Sequence, residues 1–335
     1  MIYEWQEKAW SQLSARRERM PHALLLHGRP GLGKSALAIE LARSVLCENA
    51  GPGYRPCLKC ASCGWFELGN HPDFRLVQPD SMADDVEEEG GSTKKEKKEK
   101  KKSEQIRVEQ VRALEGFLSV GTHRGGMRVI VLDPADTMNV ITQNALLKSL
   151  EEPAPATLFV LVTSRLTRLL PTIRSRCQIM SILPPDASDA VKWLTDQGLD
   201  DPQSALAEAG GAPLAALQRA DETSVRSDFL NALKEPDCDP SALAQRCESL
   251  DLSMMVGWLQ RWVFDLLSVK VGQVPRFHPK AASVLANQAR SARTSGLLRL
   301  SGHLNDAKGL ASHPLNAKLF LEELFIDFLR ATRQP

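Results

Sequence analysis

Eight consecutive residues, Gly28-Arg29-Pro30-Gly31-Leu32-Gly33-Lys34-Ser35, have the types and the spacing to hold a phosphate. They follow the apolar run Ala23-Leu24-Leu25-Leu26 and open a helix-like run, Ala36 to Leu46, which is the strand–loop–helix setting that the G-x-x-x-x-G-K-[ST] pattern requires. Gly28, Gly31 and Gly33 let backbone N–H groups turn inward around the anion, and the helix N-terminus adds partial positive charge. Lys34 would reach the outer phosphates and the Ser35 hydroxyl would ligate Mg²⁺, so the expected ligand is ATP or ADP with Mg²⁺.

A second group of residues could bind a metal. Cys57, Cys60 and Cys63 stand at C-x-x-C-x-x-C spacing, and Cys47 precedes them by a stretch containing Gly51-Pro52-Gly53, a turn able to bring it back to the others. Four of the chain's seven cysteines within seventeen residues fit a tetrahedral four-thiolate zinc site. Unrelated buried thiols explain that clustering poorly, and a redox C-x-x-C does not need the third and fourth cysteine. Four protein ligands leave no position for water, so the expected zinc is structural.

The remaining chemistry lies at strand ends. Val129-Ile130-Val131-Leu132 is an apolar strand ending in Asp133, the shape of a Walker B strand whose carboxylate helps hold Mg²⁺ opposite the phosphate loop. Leu158 to Val162 is a further buried strand leading into Thr163-Ser164, and a helix near Leu169–Arg174 reaches Ser175-Arg176-Cys177 before a last strand from Ile179 to Leu183. Phe74 to Val77 reads as a short strand, and Val111, Leu114 and Leu118 make an amphipathic helix. Asn139 is placed to cap a helix that stops before Pro153. An opening helix over residues 1–22 carries Trp5, Ala9, Trp10 and Leu13 at helical spacing, and packing against the core is the expected role of both tryptophans.

The elements that position these residues alternate strand with helix, which predicts an α/β fold with a parallel sheet covered on both faces. Residues 1–183 are expected to form this P-loop domain, with the cysteine module at 47–63. Within it, residues 80–104 place an acidic block beside seven lysines and cannot bury enough apolar surface to order, so a disordered surface loop is expected there. Pro184-Pro185-Asp186 marks a hinge. A small helical unit, interrupted at Gly210-Gly211, is expected over 184–223, and an all-helical domain over 224–335 with Phe229, Leu233, Trp258, Leu259, Trp262 and Leu266 on core faces.

Composition bounds the function. With 335 residues, 43% hydrophobic and 25% charged, the chain is a folded protein large enough for two or three domains. A net charge of +1 argues against coating nucleic acid by bulk charge. The N-terminus has no signal-peptide pattern and no apolar run reaches membrane-spanning length, which predicts a cytoplasmic protein with no membrane partner. In that reducing compartment the cysteines are not expected to form disulfides.

The order of motifs is more specific than any one of them. The phosphate loop, the inserted cysteines, the Walker B strand, Asn144-Ala145-Leu146-Leu147-Lys148-Ser149-Leu150-Glu151-Glu152-Pro153 and Ser175-Arg176-Cys177 together resemble bacterial DNA polymerase III clamp-loader subunits of the AAA+ class. The resemblance is strong over residues 21–183 and weaker beyond, where His313 to Leu319 is similar to the last helix of the family's collar domain. It implies a P-loop domain, a helical lid and a helical oligomerisation domain. It also implies a hetero-pentamer with motor and delta subunits, a sliding clamp as cargo, and primer–template DNA met through the complex.

By the same resemblance Thr163 or Ser164 takes the sensor-1 position, and Arg176 serves as an arginine finger for a neighbouring subunit's ATP. A local salt bridge from Arg176 to Glu151 or Glu152 is the alternative. Three departures from the family's motor pattern stand out. Pro134 follows Asp133 where motors carry a water-polarising glutamate, no cation stands near Leu214 where sensor 2 would fall, and 335 residues leave no room for the long motor's extra domains. The expected function is therefore a stator in a clamp loader, with little or no ATPase of its own. An active motor-type ATPase is the runner-up, since the phosphate loop is complete. A small-molecule P-loop kinase would leave the cysteines, Ser175-Arg176-Cys177 and the helical C-terminal half unexplained.

Overall fold

The computed structural model describes residues 2–82, 102–123, 126–219, 223–234, 239–311, 313 and 315–332. Most of the charged run expected to be a disordered loop, residues 83–101, lies outside the described residues. The chain divides into two compact units, Met1–Pro184 and Pro185–Pro335.

In the first unit a 3-10 turn at Glu4–Gln6 runs into α1 (Glu7–Ser14), so the opening segment is a shorter helix than the sequence pattern implies. β1 (Ala23–His27) then feeds the phosphate loop and α2 (Lys34–Leu46). After these come α3 (Ala61–Glu67), β2 (Phe74–Val77), α4 (Val108–Ser119), β3 (Arg128–Leu132) and α5 (Val140–Glu151). The unit closes with β4 (Thr157–Thr163), α6 (Pro171–Arg176) and β5 (Gln178–Ser181). The five strands form one parallel sheet in the order β2-β3-β4-β1-β5.

Position in the sheet follows from side-chain type. The central strands β3 and β4 are buried at every residue and β1 at all but its last, as expected of uninterrupted Val/Ile/Leu runs with helices on both faces. The edge strands β2 and β5 carry polar residues and are half open. Register sets the site: His27 pairs with Thr163, so the phosphate loop and Thr163-Ser164 leave the sheet side by side. Gly28 donates its N–H to Thr163 O at 3.3 Å. A Cβ on Gly28 would stand 2.5 Å from Ile182 O, so no larger residue fits where the loop starts.

Helix ends are fixed locally. The Asn139 side chain accepts from Thr142 N at 2.9 Å and caps α5, and Pro171 occupies the first turn of α6. Ser175 and Arg176 are the last two residues of α6, which lies two residues later than the helix near Leu169–Arg174 expected to precede them.

The second unit begins with α7 (Ala187–Asp196), α8 (Pro202–Glu208) and α9 (Pro213–Gln218), packed around Ala190, Leu194, Leu206 and Ala216. Gly210 and Gly211 both have positive φ and turn the chain between α8 and α9. A larger helical core follows, built by α10 (Thr223–Lys234), α11 (Pro240–Cys247), α12 (Leu252–Lys270), α13 (Ala282–Ser291), α14 (Thr294–Leu310) and α15 (Ala317–Thr332). All six core-facing residues named from the sequence are buried in it, with Trp258 and Trp262 among its largest side chains. Asp265 is buried in this core and accepts from the N–H groups of Arg276, Phe277 and His278 and from His278 Nδ1, at 2.8–3.1 Å. It thereby satisfies the backbone of the turn before α13.

Candidate functional site

Gly31 and Gly33 both adopt φ of 77°, the left-handed conformation that turns successive peptide N–H groups to one side of the loop. Lys34, first residue of α2, is buried, and its Nζ donates to Arg29 O at 2.8 Å and to Ser164 Oγ at 3.0 Å. Burial pushes the Lys34 ammonium below its ordinary pKa, against the opposing charges of Asp133 and Asp136. Asp133, directly after β3, is raised above the ordinary carboxylate range by burial, against a hydrogen bond from Ser35 and the charge of Lys34. Gly28, Gly31, Gly33, Lys34, Ser35 and Asp133 are thus brought together at the C-terminal ends of β1 and β3. That is where a parallel α/β sheet binds its ligands.

One residue of this cluster was not singled out from the sequence. Asp136 is buried, and its Oδ1 accepts from Thr163 Oγ1 at 2.9 Å and from Ser164 N at 3.2 Å. Its Oδ2 accepts from Arg165 Nε at 2.8 Å. Burial alone would raise this carboxyl; the bonds from Arg165, Thr163 and Ser164 bring it below its ordinary range. The Thr163 hydroxyl is therefore committed to Asp136, and the neighbouring Ser164 is the one that meets Lys34. The signal in the sequence was the D-x-x-D spacing of Asp133 and Asp136 across one tight turn.

Both N-terminal tryptophans do more than the packing expected of them. Trp5 Nε1 donates to Leu32 O at 3.1 Å, and Trp10 Nε1 donates to Gly53 O at 2.9 Å. Gln6, fully buried, donates to Leu32 O at 2.8 Å and to Gly33 O at 2.7 Å. No pattern in the sequence marks these bonds, because each spans more than twenty residues.

The cysteine cluster begins where α2 ends. The sulfurs of Cys47, Cys57, Cys60 and Cys63 all lie within 4.8 Å of one another. Tetrahedral coordination at ~2.3 Å imposes a separation of about 3.8 Å, so the four donors fit a thiolate metal site with a small contraction. Backbone N–H groups already point at the sulfurs, from Cys57 to Cys47 Sγ at 3.3 Å, from Cys60 to Cys57 Sγ at 3.4 Å and from Cys63 to Cys60 Sγ at 3.4 Å. Such bonds stabilise thiolate charge. N–H groups of Lys59 and Cys60 bring the Cys57 thiol down to about 6, whereas burial pushes Cys63 up to about 12. A bound dication would favour the thiolate form of all four.

Arg176 stands apart from this chain's own phosphate loop residues. Its guanidinium pairs with Glu151 at 2.6 Å and donates to Thr172 O at 2.9 Å, and its side chain is about one-third exposed. Among the described residues no helix is long and apolar enough to cross a membrane.

Comparison with known proteins adds to this geometry. The family described as DNA polymerase III, delta subunit matches residues 5–186. DNA polymerase III subunit delta' of Pseudomonas aeruginosa is 37% identical over 277 residues, 79% of this chain and 77% of that one. The Escherichia coli protein of the same name is 29% identical over 336 residues, 97% and 94% of the two chains. Among solved structures, a gamma subunit-related protein of Thermotoga maritima is similar at 19% identity and a TM-score of 0.48, over 97% of this chain and 99% of that one.

Proposed function

The chain belongs to the family of DNA polymerase III delta' subunits, and on that premise we propose that it is a stator of the clamp loader, a subunit that supports assembly and lends an arginine without turning over ATP itself. The supporting observation is the pair Asp133 and Pro134. The strand ends in a carboxylate able to hold Mg²⁺, and the next position, where a glutamate would polarise water, carries a ring with no acid–base group.

In this reading Lys34, Ser35, Asp133 and the glycine loop bind ATP or ADP with Mg²⁺, which supplies charge on the phosphate side of the loop. Ser164 and Asp136 keep the Lys34 ammonium in place. Zinc on Cys47, Cys57, Cys60 and Cys63 is structural. The Arg176 guanidinium is presented to a neighbouring subunit's nucleotide, where a planar fork stabilises developing phosphoryl charge. The lid is residues 184–223 and the collar 224–335, and the collar joins the chain to motor and delta subunits in a cytoplasmic replication complex. That complex opens a sliding clamp on primed DNA.

Reconstitution tests the reading. The chain should co-purify with the motor and delta subunits, and the complex lacking it should fail to load the clamp. The isolated chain should bind nucleotide with negligible turnover. A motor-like rate from the isolated chain, abolished by Lys34→Ala, would return the active-ATPase reading.

A further inference from the structure

The peptide bonds of the phosphate loop are trans, so in each of them the C=O and the following N–H point in opposite directions. Gln6 Nε2 holds the carbonyls of Leu32 and Gly33, at 2.8 and 2.7 Å. The N–H groups of Gly33 and Lys34 are thereby turned to the opposite side, the side that faces a phosphate. The fit is tight: a Cβ on Gly33 would stand 2.7 Å from Gln6 Nε2. Gln6 is itself fixed, its Oε1 accepting from Tyr3 N at 3.2 Å.

α1, which begins immediately after Gln6, is anchored on the cysteine module through its first half. Trp10 Nε1 donates to Gly53 O, and Arg55 lies over the Trp10 ring at 4.9 Å. Arg55 also pairs with both oxygens of Glu7 at 2.6 and 2.7 Å. Gly53 and Arg55 sit in the turn between Cys47 and Cys57, and that turn must close for four sulfurs to converge. α2 forms a second strut, with Lys34 at one end and Cys47 immediately after the other.

We propose that Gln6 is a positioning residue for the phosphate cradle and that the metal-bound cysteine module holds Gln6 in place through Trp10 and Glu7, so that metal occupancy sets the affinity for nucleotide. The inference rests on the nucleotide and metal readings above. It assigns the cysteine module a task beyond local stability: without metal the 51–55 turn loosens, α1 loses its anchor, and the Leu32 and Gly33 carbonyls, which Trp5 Nε1 and Leu37 N–H also hold, lose the bonds that Gln6 supplies.

The test uses the full chain, zinc-loaded and chelator-stripped, as wild type, Gln6→Ala and Trp10→Phe, with thermal unfolding to confirm that each is folded. Two quantities are read: hydrogen exchange at the Gly33 and Lys34 amides without nucleotide, and the equilibrium affinity for ATP. Stripping zinc should speed exchange at both amides and weaken ATP binding by about tenfold, the scale of one or two lost hydrogen bonds. Gln6→Ala should do the same with zinc in place. Trp10→Phe keeps the ring and loses only the N–H; it should reproduce most of the effect, and stripping zinc from it should then add less than about twofold, as for two changes on one path. Unchanged exchange and affinity after zinc removal, or full additivity of zinc removal and Trp10→Phe, would overturn the proposal. If zinc-loaded wild type does not bind ATP, the nucleotide reading fails on its own, and exchange at Gly33 and Lys34 still decides the mechanical link.

Discussion

The Arg176 guanidinium is bonded at 2.6 Å to the Glu151 carboxylate of its own chain, joining the end of α6 to the end of α5. Both side chains are partly exposed, and such pairs contribute about 0–1 kcal/mol. In the proposed finger role such a pair would park the arginine and still release it to a neighbour's phosphate at little cost.

Arg176→Ala should leave folding and assembly intact and lower hydrolysis at the one adjoining site by up to ~10³-fold, with little rescue by Arg176→Lys. Glu151→Gln should shift stability by less than about 1 kcal/mol and leave that hydrolysis unchanged or faster. Single-site turnover in the assembled complex is the measurement, because other sites mask the loss in a whole-complex rate. Normal hydrolysis with Arg176→Ala would leave the ion pair as the residue's only role.

Binding and turnover should separate at the phosphate loop. Lys34→Ala removes a buried ammonium that the loop holds through Arg29 O and Ser164 Oγ, and nucleotide affinity should fall by at least about tenfold in an equilibrium titration. Wild type and Lys34→Ala should share the same negligible ATPase baseline. Replacing Pro134 by Glu should not by itself create a motor, since Leu214 stands where the resemblance would put the sensor-2 cation.

Metal removal should act locally first. Purified chain should carry one zinc, and a chelator should raise hydrogen exchange in α3 and the 51–60 turn while the parallel sheet stays protected. Cys60→Ser should reproduce this, because the Cys60 sulfur accepts from Cys63 N and lies 4.0 Å from Cys47 Sγ. Elemental analysis finding no zinc, with all four thiols freely reactive, would exclude the site.

Acid should weaken both units in the same window. Asp136 in the first and Asp265 in the second have pKa values held below the ordinary carboxylate range, in each case by hydrogen bonds that outweigh burial. As pH falls, the unfolded chain takes up these protons first, so their stabilisation is complete above about pH 4 and is lost as pH falls through the lower folded values. Asp136→Asn and Asp265→Asn should each lower stability at neutral pH, by about 1–3 kcal/mol for a charged hydrogen-bond network, and flatten the acid limb of the unfolding curve. An unaltered acid limb in both variants would refute the assignment.

Local chemistry was legible in the chain itself. A glycine loop ending in Lys-Ser, four cysteines at ligand spacing and uninterrupted apolar strands are short-range patterns. Such patterns fix backbone geometry, strand burial and donor type, and the parallel sheet, the Asn139 cap and the sulfur cluster followed from them. Bonds between distant segments left no such pattern. The reach of Gln6 to Leu32 and Gly33, of Trp10 to Gly53 and of Asp136 to Thr163 and Arg165 depends on which elements the sheet order and register bring side by side. A buried Gln or Trp reads in sequence only as core, because period and hydrophobicity say that a side chain turns inward but carry no record of the partner it will meet. The choice of Glu151 as the partner of Arg176 belongs to the same class: the sequence supplied two candidate carboxylates, and the packing of α6 against α5 put Glu151 within reach.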